Sequence, residues 1–309
     1  MTEKKERYLH LNKWLKDKFG ERVLKICVDA GFSCPNRDGT CGKGGCIFCS
    51  ERGSGEHIKI HDVKQQVLNH LSSYRGQRAN KFIVYFQNFS NTYNNVENLK
   101  KKYDSAFVSE KIVGLAIATR PDCINEEIAK LLKSYTEKYF VYVELGLQTA
   151  NENTSLLINR GYKNNVFTKA VEILNKYNIP VVVHIMIGLP NENKKDIKNT
   201  IDFINLHKVQ GIKIHSTYIV ENTKLNELYL NGSYIPLKLE KYIENVGFII
   251  ASLRQDIVIH RLSGDAPKEY LVAPEWNKHK KWIINGIEKY LLDNDIWQGK
   301  YYKKKSVSC

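Results

Sequence analysis

The chain has 309 residues, 42% hydrophobic and 26% charged, the balance of a globular protein with a real core rather than a disordered or fibrous chain. No apolar run approaches the roughly 20 residues of a membrane helix. The N-terminal "MTEKKERYLHLNKWLKDKFG" lacks the apolar stretch of a secretion signal, so a cytoplasmic protein with no membrane partner is expected. The net charge of +14, from 47 basic and 33 acidic residues, favours a polyanionic partner such as nucleic acid, against the plainer reading of a solvated lysine-rich surface.

In chain order, β-rich runs alternate with longer helical patterns. "RVLKICV" (22–28) is the first strand, and a loop holding four cysteines follows it. A helix is expected over 61–74, where Val63, Val67, Leu68, Leu71 and Tyr74 share a face. Strands follow at 81–86 and 111–118, then a helix at 124–134 and a strand at 139–147. A helix at 165–177, a strand at 179–189, a helix at 194–206 and a strand at 211–220 complete the series. These strands are continuous β-branched apolar runs, the pattern of buried parallel strands. About six alternations imply parallel βαβ units. The expected fold is therefore α/β, a partial (β/α)6 TIM-like barrel, with a doubly wound sheet as the alternative. Residues 1–220 are expected to form this core and 221–309 a C-terminal α/β extension packed on it. The extension would hold a helix at 238–254, a strand at 256–262, the turn-rich "SGDAPKEYLVAPEW" and a helix over 277–293.

Seven cysteines stand at 27, 34, 41, 46, 49, 123 and 309. An odd count with a cluster in one loop favours a metal or cluster site over disulfides. The loop "CPNRDGTCGKGGCIFC" (34–49) leaves the carboxyl end of the first strand, where barrels and open α/β sheets place their active sites. Cys46 and Cys49 form a CxxC whose thiolates can face one ion or cluster, and the third ligand is Cys34 or Cys41. All four thiolates would make a zinc module. Three would make a cubane iron–sulfur cluster with one iron free of protein ligands. Such an iron can chelate S-adenosylmethionine and deliver the electron that splits its sulfonium, releasing a deoxyadenosyl radical.

A CxxC at the mouth of a β/α barrel, with its third ligand upstream and the aromatic Phe48 before the last cysteine, resembles the radical S-adenosylmethionine superfamily. Further along, "CPNRDGT", "GGCIFC", "ATRPDC", "VELGLQT", "NRGY", "HIMIGLP", "GIKIH", "HRLSGDAP" and "APEW" resemble one bacterial subfamily related to the Elongator catalytic subunit. The resemblance runs over most of the chain. It implies a [4Fe-4S] cluster on Cys34, Cys46 and Cys49, with Cys41 outside the ligand set, and S-adenosyl-L-methionine as cofactor. Cys27, Cys123 and Cys309 read as packing or incidental thiols.

By similarity to coproporphyrinogen dehydrogenase, which shows the same spacing, Gln148 and Arg160 contact S-adenosylmethionine, the arginine through the methionyl carboxylate. His184 matches a ribose-binding aspartate there, against the plainer reading of a satisfied core histidine. Glu144 is either a cofactor or substrate contact or a structural ion pair across the barrel. Phe48 and the backbone at Leu189 are assigned to the cofactor. "YFQNFSNTY" (85–93) stands where many members carry a GGE-like motif, which assigns Gln87 and Asn88 to the methionyl ammonium. "ATRPDC" shares TRPD with the Elongator subunit and brings in Thr119 and Arg120, although Ala118 replaces the glutamate found there.

In the last third, His215 and Tyr218 follow the start of the sixth strand, and His260, Arg261 and Asp265 crowd one turn. That concentration suggests substrate binding; a salt-bridged structural turn fits equally. Trp276, Trp282 and Trp297 either stack on bases or belong to the core. The subfamily resemblance implies tRNA as substrate, the carbon-5 side chain of the wobble uridine being converted from carboxymethylaminomethyl to aminomethyl. It also implies an electron donor such as flavodoxin or ferredoxin. The competing readings are a radical enzyme with a small-molecule substrate and a zinc-stabilised nucleic-acid-binding protein without catalysis.

Overall fold

Seven parallel strands curl into one open half-barrel: β1 (Val23–Val28), β2 (Lys81–Phe86), β3 (Ile112–Thr119), β4 (Phe140–Gln148), β5 (Val181–Ile187), β6 (Gly211–Ser216) and, beyond a short β7 (Ile219–Val220), β8 (Val258–Arg261). The spatial order is β1-β2-β3-β4-β5-β6-β8. The structure is a computed structural model and describes residues 6–50, 53 and 62–303. The first residue of the helix expected over 61–74 and Cys309 lie outside the described residues.

Helices fill the crossovers: α1 (Leu11–Phe19) before β1, α2 (Val63–Ser72), α3 (Val96–Asp104), α4 (Glu126–Tyr135), α5 (Glu152–Leu157), α6 (Asn164–Lys176), α7 (Lys194–Leu206), α8 (Lys224–Leu230), α9 (Leu239–Ser252) and α10 (Lys280–Asp293). Their starts follow local chemistry. Asn125 caps α4 by accepting from the Ile128 amide at 2.9 Å, and Asn193 and Asp196 form a reciprocal capping box on α7. Among the described residues no helix is long and apolar enough to cross a membrane.

Two expectations are corrected here. The strand predicted at 256–262 joins the main sheet as its seventh member, because α9 carries the chain back so that Val258 and Ile259 pair in parallel with Gly211 and Ile212. The run predicted as one strand over 211–220 breaks after Ser216, and Ile219–Val220 turns away to pair antiparallel with β9 (Leu271–Ala273).

The strands are not apolar on both faces. Alternate residues such as Ile26, Val84, Leu115, Val143, Val183 and Ile212 pack outward against the helices in the main core. Their neighbours face the concave side. Its amino-terminal end is closed by a smaller core in which Leu11 and Leu15 of α1 meet Val23, Ile83, Tyr142, Val182 and Val258. Leu15 is 2% exposed, so truncating it to alanine costs about 2–5 kcal/mol. Above this plug the concave face turns polar.

Candidate active site

The cysteine loop sits over the carboxyl ends of the strands and is held there mainly by backbone. Gly45 donates its amide to the Asn36 carbonyl at 2.9 Å, with φ at 76° and Arg37 so near that a Cβ would come within 2.9 Å of its Nε; only glycine fits. Ile47 donates to the Ile158 carbonyl at 3.1 Å and receives the Leu225 amide at 2.9 Å. Asn159 ties down the Gly45 carbonyl at 2.7 Å. Asn36 donates to the Asn159 carbonyl at 2.7 Å and approaches the Cys46 sulfur at 3.8 Å.

Within this frame the Cys49 amide bonds the Cys46 carbonyl at 3.0 Å, which turns the two thiols to one side. They share a hydrogen bond that eases ionisation of Cys46 and pushes the Cys49 thiol up. Burial raises Cys34, and it feels the Cys46 charge. Cys41 is exposed. Of the thiols read as packing or incidental, Cys27 is exposed on the concave face and Cys123 is buried. Among the described residues no three His, Cys, Asp or Glu side chains converge on a single-ion position. A cubane asks for something different, because each thiolate binds its own iron. Three soft sulfur donors in one rigid loop, with an amide N–H directed at one sulfur, fit that group.

Below the loop lies a buried ion network. Glu144, 1% exposed, accepts from Lys25 at 3.2 Å and His184 Nε2 at 2.8 Å, and is bonded to Lys213. Burial alone would raise its pKa; Lys213, then Lys25 and the His184 bond, overrule it and hold the carboxyl well below its usual range. Burial lowers His184 to about 4, with Lys213 adding to the effect. Burial also lowers Lys213, to about 7 against the pull of Glu144. Lys25 and Lys213 were not among the predicted site residues. The signal available was a lone lysine inside each of "RVLKICV" and "GIKIH".

Glu144 thus takes part in an ion pair across the barrel, and His184 is bonded to it through Nε2. Arg160 departs further from expectation. It is fully buried, and its five N–H groups reach Tyr162 O (3.0 Å), Leu147 O (2.8 Å), Thr149 O (2.7 Å), Glu152 (3.5 Å) and Asn164 (3.0 Å). No donor remains for a methionyl carboxylate. Arg120 is similarly held, bidentate to Asp122 at 2.9 and 2.6 Å and bonded to the Arg160 carbonyl at 2.9 Å. Thr119 pairs with Thr92 at 2.6 Å rather than facing the concave side.

Other predicted residues lie along the concave face and its rim. Gln148 ends β4 at φ 59°, a left-handed conformation rare for a side-chain-bearing residue and characteristic of functional sites. Its amide folds back over Gly146, where a Cβ would lie 2.5 Å from its Nε2. Phe48 and Leu189 belong to one apolar cluster with Met186. Asn88 donates to Asp29 at 2.7 Å, and the Gln87 amide bonds the Val28 carbonyl at 3.3 Å, setting both at the rim beside the cysteine loop. His215 stacks obliquely on His184, ring centroids 5.2 Å apart. Tyr218 packs beside Gly264. The His260 ring meets Tyr142 edge-on at 5.6 Å. Arg261 pairs with Asp265 at 2.9 Å, which also binds Lys280 at 2.7 Å.

The family model of the radical SAM superfamily matches residues 38–204, and that of the radical SAM C-terminal domain matches 209–293. The chain belongs to the radical SAM superfamily. Its cofactors are therefore a [4Fe-4S] cluster and S-adenosylmethionine. Bacillus subtilis YtqA is 36% identical over 98% of this chain and 94% of its own. A tRNA uridine(34) acetyltransferase of Methanocaldococcus jannaschii is 27% identical over 64% of this chain and 34% of its own. Among solved structures, Elp3 of Methanocaldococcus infernus has the same fold, with a TM-score of 0.67 at 18% identity over 89% of this chain and 64% of that one.

Proposed function

We propose that this radical SAM enzyme acts on the wobble uridine of tRNA, converting a carboxymethylaminomethyl group on carbon 5 to aminomethyl. The observation that carries the reading is the similarity to a tRNA uridine(34) acetyltransferase over 64% of this chain, supported by the Elongator-like motifs. The net charge of +14 suits phosphate binding. Trp282, 60% exposed and stacked on His279 at 3.9 Å among Lys278, Lys280 and Lys281, offers an aromatic face to a splayed base.

Cys34, Cys46 and Cys49 would hold the cluster. When bound, the cluster and S-adenosylmethionine supply a hydrogen-abstracting radical by reductive cleavage, the electron coming from a donor such as flavodoxin or ferredoxin. Gln148 presents its amide at the mouth, where it can bind ribose or adenine, and Gln87 and Asn88 offer amide oxygens to the methionyl ammonium. Phe48 and Leu189 form the apolar wall for the adenine. The α1 plug closes the opposite end against water, and the Glu144 network orients the substrate side chain from beneath. The substrate role of the Tyr218 and His260 region is to line its path.

The test is the modified-nucleoside profile of tRNA from a deletion strain and its parent. Accumulated carboxymethylaminomethyl-uridine with loss of its downstream forms is expected. An unchanged wobble profile overturns the reading. In vitro, cleavage of S-adenosylmethionine that depends on a metabolite and ignores added tRNA would favour a small-molecule substrate.

A further inference from the structure

The concave face carries more positive charge than it neutralises. Deep inside, Lys25 and Lys213 share the single carboxylate of Glu144. On the neighbouring strand, Arg261 shares the carboxylate of Asp265 with Lys280 in an ion group half exposed to solvent on its outer side. The inner group leaves one basic side chain without a carboxylate of its own, and burial draws Lys213 down to about 7. Uncompensated charge in a low-dielectric cleft is costly unless an anion arrives to meet it.

A second observation falls on the same spot. His215 lies two residues after Lys213 on β6 and so points to the same side. Its Nε2 is buried and has no protein hydrogen-bond partner, a condition native structures seldom leave without a ligand. Lys213 and Arg261 are register partners on adjacent strands. His215 also stacks obliquely on His184, with ring centroids 5.2 Å apart, so its orphaned Nε2 lies on the same concave face as Lys213 and Arg261, and burial keeps the ring neutral.

We infer that Lys213, His215 and Arg261 form a carboxylate subsite that takes the terminal carboxylate of the substrate side chain and selects the carboxymethylaminomethyl group over its aminomethyl product. The inference rests on the uridine reading above. The substrate side chain carries a carboxylate beside its amine, whereas the product carries an ammonium alone. An ammonium, a guanidinium N–H and an imidazole N–H together satisfy a carboxylate's acceptor sites. The same cations repel the bare ammonium of the product and so favour its release. The methionyl carboxylate of S-adenosylmethionine has the same chemistry, and the test separates the two.

The experiment measures binding of the reconstituted full-length protein to three probes: tRNA bearing carboxymethylaminomethyl-uridine, the same tRNA bearing aminomethyl-uridine, and S-adenosylmethionine. The wild type is expected to prefer the carboxylate-bearing tRNA by at least about tenfold, the scale of one charge-assisted hydrogen bond. Arg261→Gln should bring the ratio to about one while leaving the S-adenosylmethionine Kd unchanged, and Arg261→Lys should restore part of the preference. His215→Gln provides the same reading should Arg261→Gln fail to fold. A wild type without preference, or a folded Arg261→Gln that keeps it, overturns the subsite. So does an Arg261→Gln that weakens S-adenosylmethionine and leaves the tRNA ratio intact, for the carboxylate is then the cofactor's. An unchanged wobble profile in the deletion strain instead overturns the uridine reading itself.

Discussion

Glu144 on β4 and Lys213 on β6 are bonded across the concave face, with His184 on the intervening β5 held to the same carboxylate at 2.8 Å. Removing the carboxylate leaves Lys25 and Lys213 buried together without a counter-charge. Glu144→Gln is expected to cost about 3–5 kcal/mol in anaerobic urea unfolding. The double variant Glu144→Gln, Lys213→Gln should lose less than the sum of its single changes. Strict additivity would show that the two side chains are not coupled.

The same network sets an acid response. His184 is lowered to about 4 by burial from its ordinary 6.5, so between these values the unfolded chain binds the proton and the folded chain does not. Stability therefore falls as pH drops from about 6.5 toward 4, by at most about 1.4 kcal/mol per pH unit from this group. Glu144, held low by its lysines after burial is overcome, adds a further loss once pH falls below its unfolded value. A melting-temperature series from pH 7 to 4 should slope downward, and His184→Gln should lessen the slope between 6.5 and 4.5 while leaving the share of His215 and His260, whose rings burial also holds neutral. An equal slope in that variant would remove His184 as its source.

Cluster ligation is expected to need Cys34, Cys46 and Cys49. Alanine at any of these should cut iron and sulfide per chain after anaerobic reconstitution to a small fraction of wild type. Cys41→Ser, at an exposed position, should keep both. Loss of iron in Cys41→Ser with retention in Cys34→Ala would reverse the assignment.

Arg160 is expected to act by holding backbone. The segment 158–160 supports the cysteine loop through the Ile158 and Asn159 carbonyls, and Arg160 pins it to the end of β4. Arg160→Lys cannot reproduce five directed N–H bonds. It should lower the melting temperature and the iron retained, while S-adenosylmethionine affinity per loaded cluster stays near wild type. The opposite pattern, full iron with lost affinity, would restore the arginine as a carboxylate ligand.

Much of this was legible in the chain. The strand runs that became β1 to β6 and the CxxC loop carry their signals locally, in β-branched runs and in thiol spacing. The functional face was harder to read. Lys25, Tyr85, Glu144, His184 and Lys213 sit at alternate positions inside runs that look uniformly apolar, so the strands appeared buried on both sides. Nothing near Lys25 in sequence announces that its partner is Glu144, 119 residues on; only the curl of the sheet brings them together. Arg160 misled for a related reason, because a spacing shared with relatives fixes where a side chain starts and not which acceptors surround it. The helix α3, "VENLKKKYD", escaped because it shows so little apolar face.

The sheet ends at β1 on one side and β8 on the other, with α1 lying beside both and, among the described residues, no strand closing the ring. Under the proposed uridine reading, one nucleotide must leave its stack to reach the concave face while its neighbours stay outside the sheet.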